Sequence, residues 1–297
     1  MITTKKLIRK AVELICTAVI ILFCIGAAYL LAQTFIFAPF TIPSESMTPG
    51  LLPGDRIVVD KLSTGARLFN IFRAAKGEEP EIHRMPAFTG FRRGDVIVFN
   101  FPHKTDWNRL EFNYPVYYAK RCVAVPGDTV SIRNFIPYIN GRKLPFEKED
   151  AMLAALHPDD SLSIAARTGY LACEYDTVNR WTIREFGPLI IPGKGIRIKL
   201  DSLDYMAYRP VIERETGSRL IMRNGRLLLG SRPIEAYQFK ENYYFTLGDN
   251  FTASMDSRYW GFVPEKYIVG KARFIWWSRE RKGEKRIRWN RILKPID

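Results

Sequence analysis

Apolar and polar positions follow two regimes along this chain. From Leu14 to Ala32 almost every side chain is apolar. As a helix rising 1.5 Å per residue, that run reaches roughly 28 Å, close to the roughly 30 Å of a bilayer's hydrocarbon core. Lys5, Lys6, Arg9 and Lys10 precede it, and no basic residue follows until Arg56. The positive-inside rule therefore puts the N-terminus in the cytoplasm and the body outside. The run is longer than the apolar core of a cleaved signal peptide, and Phe35 and Phe37 carry aromatics into the interface. The pattern predicts an uncleaved anchor over 11–38, behind a short basic segment at 1–10.

Beyond the anchor the pattern shortens to strand length. Arg56–Lys61, Gly94–Pro102, Tyr117–Val125, Thr129–Ile132, Tyr243–Leu247 and Tyr267–Trp277 read as strands from their β-branched and aromatic content. Pro53-Gly54-Asp55 and Pro126-Gly127-Asp128 mark turns, and Asn140-Gly141 marks a two-residue hairpin. Residues 62–93 lack periodicity and are expected to form a long surface loop. Strand after strand without long helices predicts a mainly β, antiparallel body over 39–145 and 234–278.

Between those parts, 146–233 reads as an inserted α+β lobe. It offers a helix at Ala151–Leu156, a turn-rich stretch at Gly187–Gly195 and a strand at Ile196–Leu200. Asp201 and Ser202 suit the cap of one short helix, and Pro210 the first turn of a second ending near Gly217. Asn224-Gly225 predicts another hairpin turn. The tail at 279–297 mixes Arg and Lys with Ile287, Trp289, Ile292 and Leu293. It reads either as a solvated basic face or as a contact for an anionic membrane surface.

Composition adds bounds. With 297 residues and 47% hydrophobic content, this is a folding chain, and its net charge of +14 implies an anionic partner or surface. Nucleic acid would satisfy the charge, but no nucleic-acid motif is present. Cys16 and Cys24 fall in the apolar run, leaving Cys122 and Cys173 to pair as a disulfide or to stay as buried free thiols. His83, His103 and His157 show no metal-ligand spacing with one another or with cysteine, so no metal site is expected.

Candidate chemistry starts at Ser44 and Ser46, in a run stiffened by Pro43 and Pro49 just past the anchor. Four ordered blocks then coincide: Pro43-Ser44-Glu45-Ser46-Met47, Gly94-Asp95-Val96-Ile97-Val98-Phe99, Lys120-Arg121 with Pro126-Gly127-Asp128, and Gly248-Asp249-Asn250 with Ser254-x-Asp256-Ser257-Arg258. In that order the chain resembles the type I signal peptidases, the bacterial leader peptidases. The resemblance implies a membrane-bound serine protease on an antiparallel β catalytic core with an inserted lobe. No cofactor is implied. Exported preproteins, cut after a small-x-small motif, are the expected partners at the outer face of a bacterial cytoplasmic membrane. A self-cleaving Ser/Lys protease and a membrane-anchored, inactive binding protein on the same fold are the alternatives.

By motif position, the resemblance makes Ser46 the nucleophile and Lys120 the general base. A lysine serves as base only when uncharged, which near neutral pH needs about 3–4 kcal/mol of bias against the ammonium form. The apolar neighbours Tyr117, Tyr118, Ala119, Cys122 and Val123 permit this by desolvation. Ser44 is implied to join the Ser46 N–H in an oxyanion hole, the i, i+2 spacing suiting an extended run. Ser254 is implied to bond and orient Lys120, with Asp256 and Arg258 as a supporting ion pair. Phe40, Ile42, Pro43 and Ala119 are implied to line pockets for small side chains. Phe251 stands where the family commonly has a basic residue, and the expected insert holds only one cysteine, Cys173.

Overall fold

The computed structural model describes residues 2–145, 181–201, 204–281, 283 and 285–296. The expected helix at Ala151–Leu156, together with Cys173 and Ser202, lies outside them.

Helix α1, Ile2–Phe35, contains one segment, Arg9–Phe35, long and apolar enough to cross a membrane. Its most apolar window is not buried against the body, the exposure that a membrane-crossing helix would have. The chain passes directly into β1, Phe37–Thr41, and the joint is held by hydrogen bonds. The Ile36 carbonyl accepts the N–H groups of Lys61 at 2.8 Å and Leu62 at 3.2 Å, and Lys61 Nζ donates to the Gln33 carbonyl at 2.7 Å. A cation on the last turn suits the negative end of the helix dipole.

The body follows the strand pattern. In chain order come β2 (Asp55–Asp60), β3 (Val96–Asn100), β4 (Tyr117–Ala124), β5 (Thr129–Arg133), β6 (Ile136–Ile139), β7 (Phe186–Ile190), β8 (Tyr243–Leu247) and β9 (Ile268–Ser278). A seven-stranded antiparallel sheet has the order β1-β2-β9-β3-β4-β8 and then Val263–Pro264. Every residue of β3 is buried. Val96 and Val98 pack with Ile42, Met47 and Leu51 on one face, while Ile97 and Phe99 pack with Phe101 and Trp260 on the other. That two-sided burial is what an unbroken apolar strand requires. A second sheet has the order β7-β5-β6 and then Arg142–Lys143. Asn140 and Gly141 take φ of 52° and 75°, the left-handed pair that its tight hairpin needs. The Asn224-Gly225 turn forms in the same way between Leu220–Arg223 and Arg226–Leu229.

Several expectations are corrected. Residues 62–93 are not a structureless loop: Arg67–Leu68 pairs with His83–Arg84, and Ile71–Ala75 forms α2, capped by the Asn70 side chain. The segment is fixed from a distance, because Arg67 donates to the Tyr267 carbonyl at 2.7 Å and Arg84 to the Glu265 carbonyl at 2.7 Å. Hydrophobic periodicity cannot register such polar, long-range bonds. In place of two short helices there is one, α3, Asp204–Thr216, with Pro210 inside it. Burial of Ala207, Tyr208, Val211 and Ile212 in the core outweighs the hydrogen bond that Pro210 removes. The turn-rich stretch begins as β7, whose Leu189 and Ile190 pair with Val130 and Thr129 across a register shift. The tail is not simply a solvated basic face: Arg291 pairs with buried Asp55 at 2.6 Å, and Leu293 N–H bonds the Ile275 carbonyl at 2.6 Å. Trp289 and Leu293 remain exposed.

Candidate active site

The turn after β1 carries the two serines. Thr48 N–H bonds the Glu45 carbonyl at 3.0 Å and Leu51 N–H the Met47 carbonyl at 2.7 Å, while the Met47 and Leu51 side chains are buried beneath. Ser44 and Ser46 therefore lie on a bend, not on the extended run that their spacing suggested. The bend still sets their hydroxyl oxygens 3.3 Å apart. From the opposite side, Asn250 N–H donates to the Ser46 carbonyl at 3.1 Å and Asn250 Nδ2 to the Glu45 carbonyl at 3.2 Å.

Lys120 projects from β4, is only 2% exposed, and its Nζ lies 2.5 Å from Ser46 Oγ. Burial lowers its pKa from 10.5 to about 8. Asp256 and Asp249 push the other way through space, and Arg258 adds to the lowering. The bias against the ammonium form amounts to about 3 kcal/mol. The neighbouring Arg121 is engaged elsewhere: it grips the Asp249 carboxylate through bonds of 2.7 and 2.8 Å. Cys122 is a buried free thiol whose pKa burial pushes up.

The Asp256–Arg258 pair, expected near the site, is completely buried, at 2.8 Å. Asp256 also accepts the Gly248 N–H at 3.0 Å, and Arg258 donates to the Phe251 carbonyl at 2.6 Å. Phe251, the departure from the family pattern, lies with its ring 3.8 Å below the guanidinium carbon of Arg258. An aromatic face thus supports the cation. Ser254 is buried beside this pair, but its hydroxyl donates to the Met255 carbonyl at 3.4 Å. The orienting bond to Lys120 is not among the bonds its hydroxyl makes, although the oxygen lies beside Gly248 and the Ser46 carbonyl.

Ile42 is buried with Met47, and Phe40 and Ala119 pack against the same cluster. Pro43 is exposed, its carbonyl accepting a bond from Arg281 in the tail at 3.1 Å. An open cleft of about 870 Å³ runs past Pro43, Ser44, Ala253 and Arg281.

Sequence reasoning singled out the Gly248-Asp249-Asn250 block without assigning its parts. In the structure Asp249 ties this turn to β4 through Arg121, and Asn250 ties it to the serine turn. Gly248 is required by close approach, since a Cβ there would collide with the Ser254 hydroxyl and the Ser46 carbonyl. Among the described residues no cluster of His, Cys, Asp and Glu is arranged to hold a metal ion.

The family model described as signal peptidase, peptidase S26, matches residues 11–277. Signal peptidase I of Buchnera aphidicola from Acyrthosiphon pisum is 31% identical over 280 residues, covering 91% of this chain and 78% of that protein. Signal peptidase I of Aquifex aeolicus is 30% identical, covering 86% and 82%. A crystal structure of a signal peptidase I from Enterococcus faecalis is 21% identical, with a TM-score of 0.28, covering 62% of this chain and 97% of that one.

Proposed function

Because the chain belongs to the signal peptidase S26 family, a family of proteases that remove signal peptides, we propose that it does so with Ser46 as nucleophile and neutral Lys120 as general base. The observation that carries this reading is the 2.5 Å approach of a buried, desolvated lysine to a serine on a hydrogen-bonded turn. A neutral Nζ takes the Ser46 proton as Oγ attacks the scissile carbonyl, then returns it to the leaving amine, and a water deacylates the ester with the same base. The Ser44 hydroxyl and the Ser46 N–H receive the negative charge on the carbonyl oxygen. Asp256 and Arg258 act as positioning residues through Gly248 and the carbonyls of Phe251 and Ser254. Any orienting role for Ser254 requires its hydroxyl to turn from Met255.

In this reading the substrate is an exported preprotein cut after a small-x-small motif. Strand β1 pairs only with β2 within its sheet, so its other edge is open to an extended peptide. Phe40, Ile42, Pro43 and Ala119 then border the small side chains. Helix α1 crosses the cytoplasmic membrane with the N-terminus inside, and the body works at the outer surface. Confining enzyme and preprotein to one surface raises their effective concentration.

The test is cleavage of a preprotein in detergent. Ser46→Ala and Lys120→Met should each reduce it by about 10⁴-fold or more. The wild-type rate should rise with pH through an apparent pKa of about 8, because only the unprotonated lysine acts. Near wild-type cleavage in either variant refutes the assignment of roles, and a folded wild type that cuts nothing points to the anchored binding protein instead.

A further inference from the structure

Where the anchor meets the body lies a cleft of about 230 Å³. Two cations line it, Lys61 and Arg67, with the rings of Phe40, Phe69 and Tyr117 and the side chain of Ile71. No carboxylate lines it. Arg67 spends its donors on neutral acceptors, the Tyr267 carbonyl at 2.7 Å and Asn100 Oδ1 at 2.9 Å. Lys61 Nζ likewise bonds the neutral Gln33 carbonyl, with donor capacity to spare.

Four other buried or partly buried arginines are compensated by acids in contact: Arg121 by Asp249, Arg214 by Glu241, Arg258 by Asp256 and Arg291 by Asp55. The charged neighbours that act here are themselves cations, Arg67 on Lys61 and Arg84 on Arg67. Burial lowers both pKa values, with Arg67 adding to the effect at Lys61 and Arg84 adding to it at Arg67, which falls to about 9 and stays charged at neutral pH. Two cations sharing a partly desolvated cleft are costly unless an anion joins them.

Position and rim identify the anion. Lys61 binds the last turn of α1, so the cleft lies at the level where that helix leaves the hydrocarbon and lipid phosphates are found. Next to Ile71, Phe72 is 78% exposed, and Leu62 and Leu68 are exposed on the same segment. A soluble phosphate would use the cations and leave this apolar rim in water, whereas a phospholipid covers both. The cleft shares only Phe40 with the residues expected to border the substrate.

We propose that this cleft binds the phosphate of an anionic phospholipid between Lys61 and Arg67, with the acyl chains leaving over Ile71 and Phe72. This site rests on α1 lying in the bilayer, and it gives the 62–93 segment a purpose: α2 and the Arg67 strand build its wall.

The experiment is native mass spectrometry of the full-length protein in detergent, titrated with phosphatidylglycerol or phosphatidylcholine. Wild type should retain one phosphatidylglycerol at least about tenfold more tightly than phosphatidylcholine. Lys61→Gln should lose that preference, while Lys199→Gln, an exposed lysine outside the cleft, should keep it. Arg67→Gln, which also removes bonds to the 267 region, is read beside Lys61→Gln, which spares them. Equal retention of both lipids, or unchanged retention by Lys61→Gln, overturns the site. Displacement of phosphatidylglycerol by excess inorganic phosphate assigns the cations to a soluble anion and overturns the lipid. Carbonate extraction of membranes reports the anchor separately: wild type and Lys61→Gln should both stay with the membrane, and a wild type that is extracted removes the premise.

Discussion

Lys120 and Arg258 are two cations buried in one small region, and their surroundings send them in opposite directions. Arg258 has a carboxylate in contact, a stacked ring and two carbonyls, so its charge is held in place. Lys120 has acids nearby but none in contact, and its close partner is a hydroxyl. Desolvation then dominates, and the ammonium loses ground to the amine. Between these two, the difference is whether an acid touches the buried cation.

The strongest way to break this contrast is Asp256→Asn. Arg258 would then face a neutral amide, and denaturant unfolding should show a loss of about 3–5 kcal/mol. Asp256 also raises the Lys120 pKa, so any remaining activity should titrate at lower pH than in the wild type. A variant as stable as the wild type with an unmoved pH profile would show that the pair does not set this environment.

Ser44→Ala tests the other side of Lys120's partner. Loss of one oxyanion donor should lower kcat about 10²–10³-fold with little change in KM. A loss below about tenfold would make Ser44 a turn residue only.

The titration of Lys120 should also be visible in stability. Its folded pKa, about 8, lies below the unfolded value of 10.5, so the unfolded chain binds the proton more tightly. Stability should therefore rise with pH between those values, by about 3 kcal/mol in total. Lys120→Met should lack this rise when unfolding is followed across the same range.

The smallest expected effect is that of Gly248→Ala, which sharpens the contrast without touching a charge. Its methyl group presses on Ser254 and Ser46, at about 1–3 kcal/mol of stability, and should displace the serine turn from Lys120. Calorimetry and cleavage should fall together, and full activity would show that the turn tolerates the shift.

Much of the architecture was legible because it follows from local rules. The apolar run from Leu14 can only be a long helix or a buried one, and the apolar β3 needs cover on both faces. Asn140-Gly141 and Asn224-Gly225 select hairpins through their left-handed conformations. The family blocks marked Ser46 and Lys120, which the fold brings together across 74 positions of sequence.

What only the tertiary structure decided depends on partners far away in the chain. The shape of 62–93 hangs on arginines reaching carbonyls near residue 267, and α3 keeps Pro210 because its apolar face is buried. The tail is held by Asp55, a charge more than two hundred residues upstream. The Ser254 hydroxyl bonds the Met255 carbonyl instead of its expected partner. Sequence by itself determined which residues favour helix, strand or turn, because those preferences reside in a few neighbouring side chains. Whether a given cation is paired with an acid or biased toward its neutral form was settled by burial and distance, which exist only once the chain has folded.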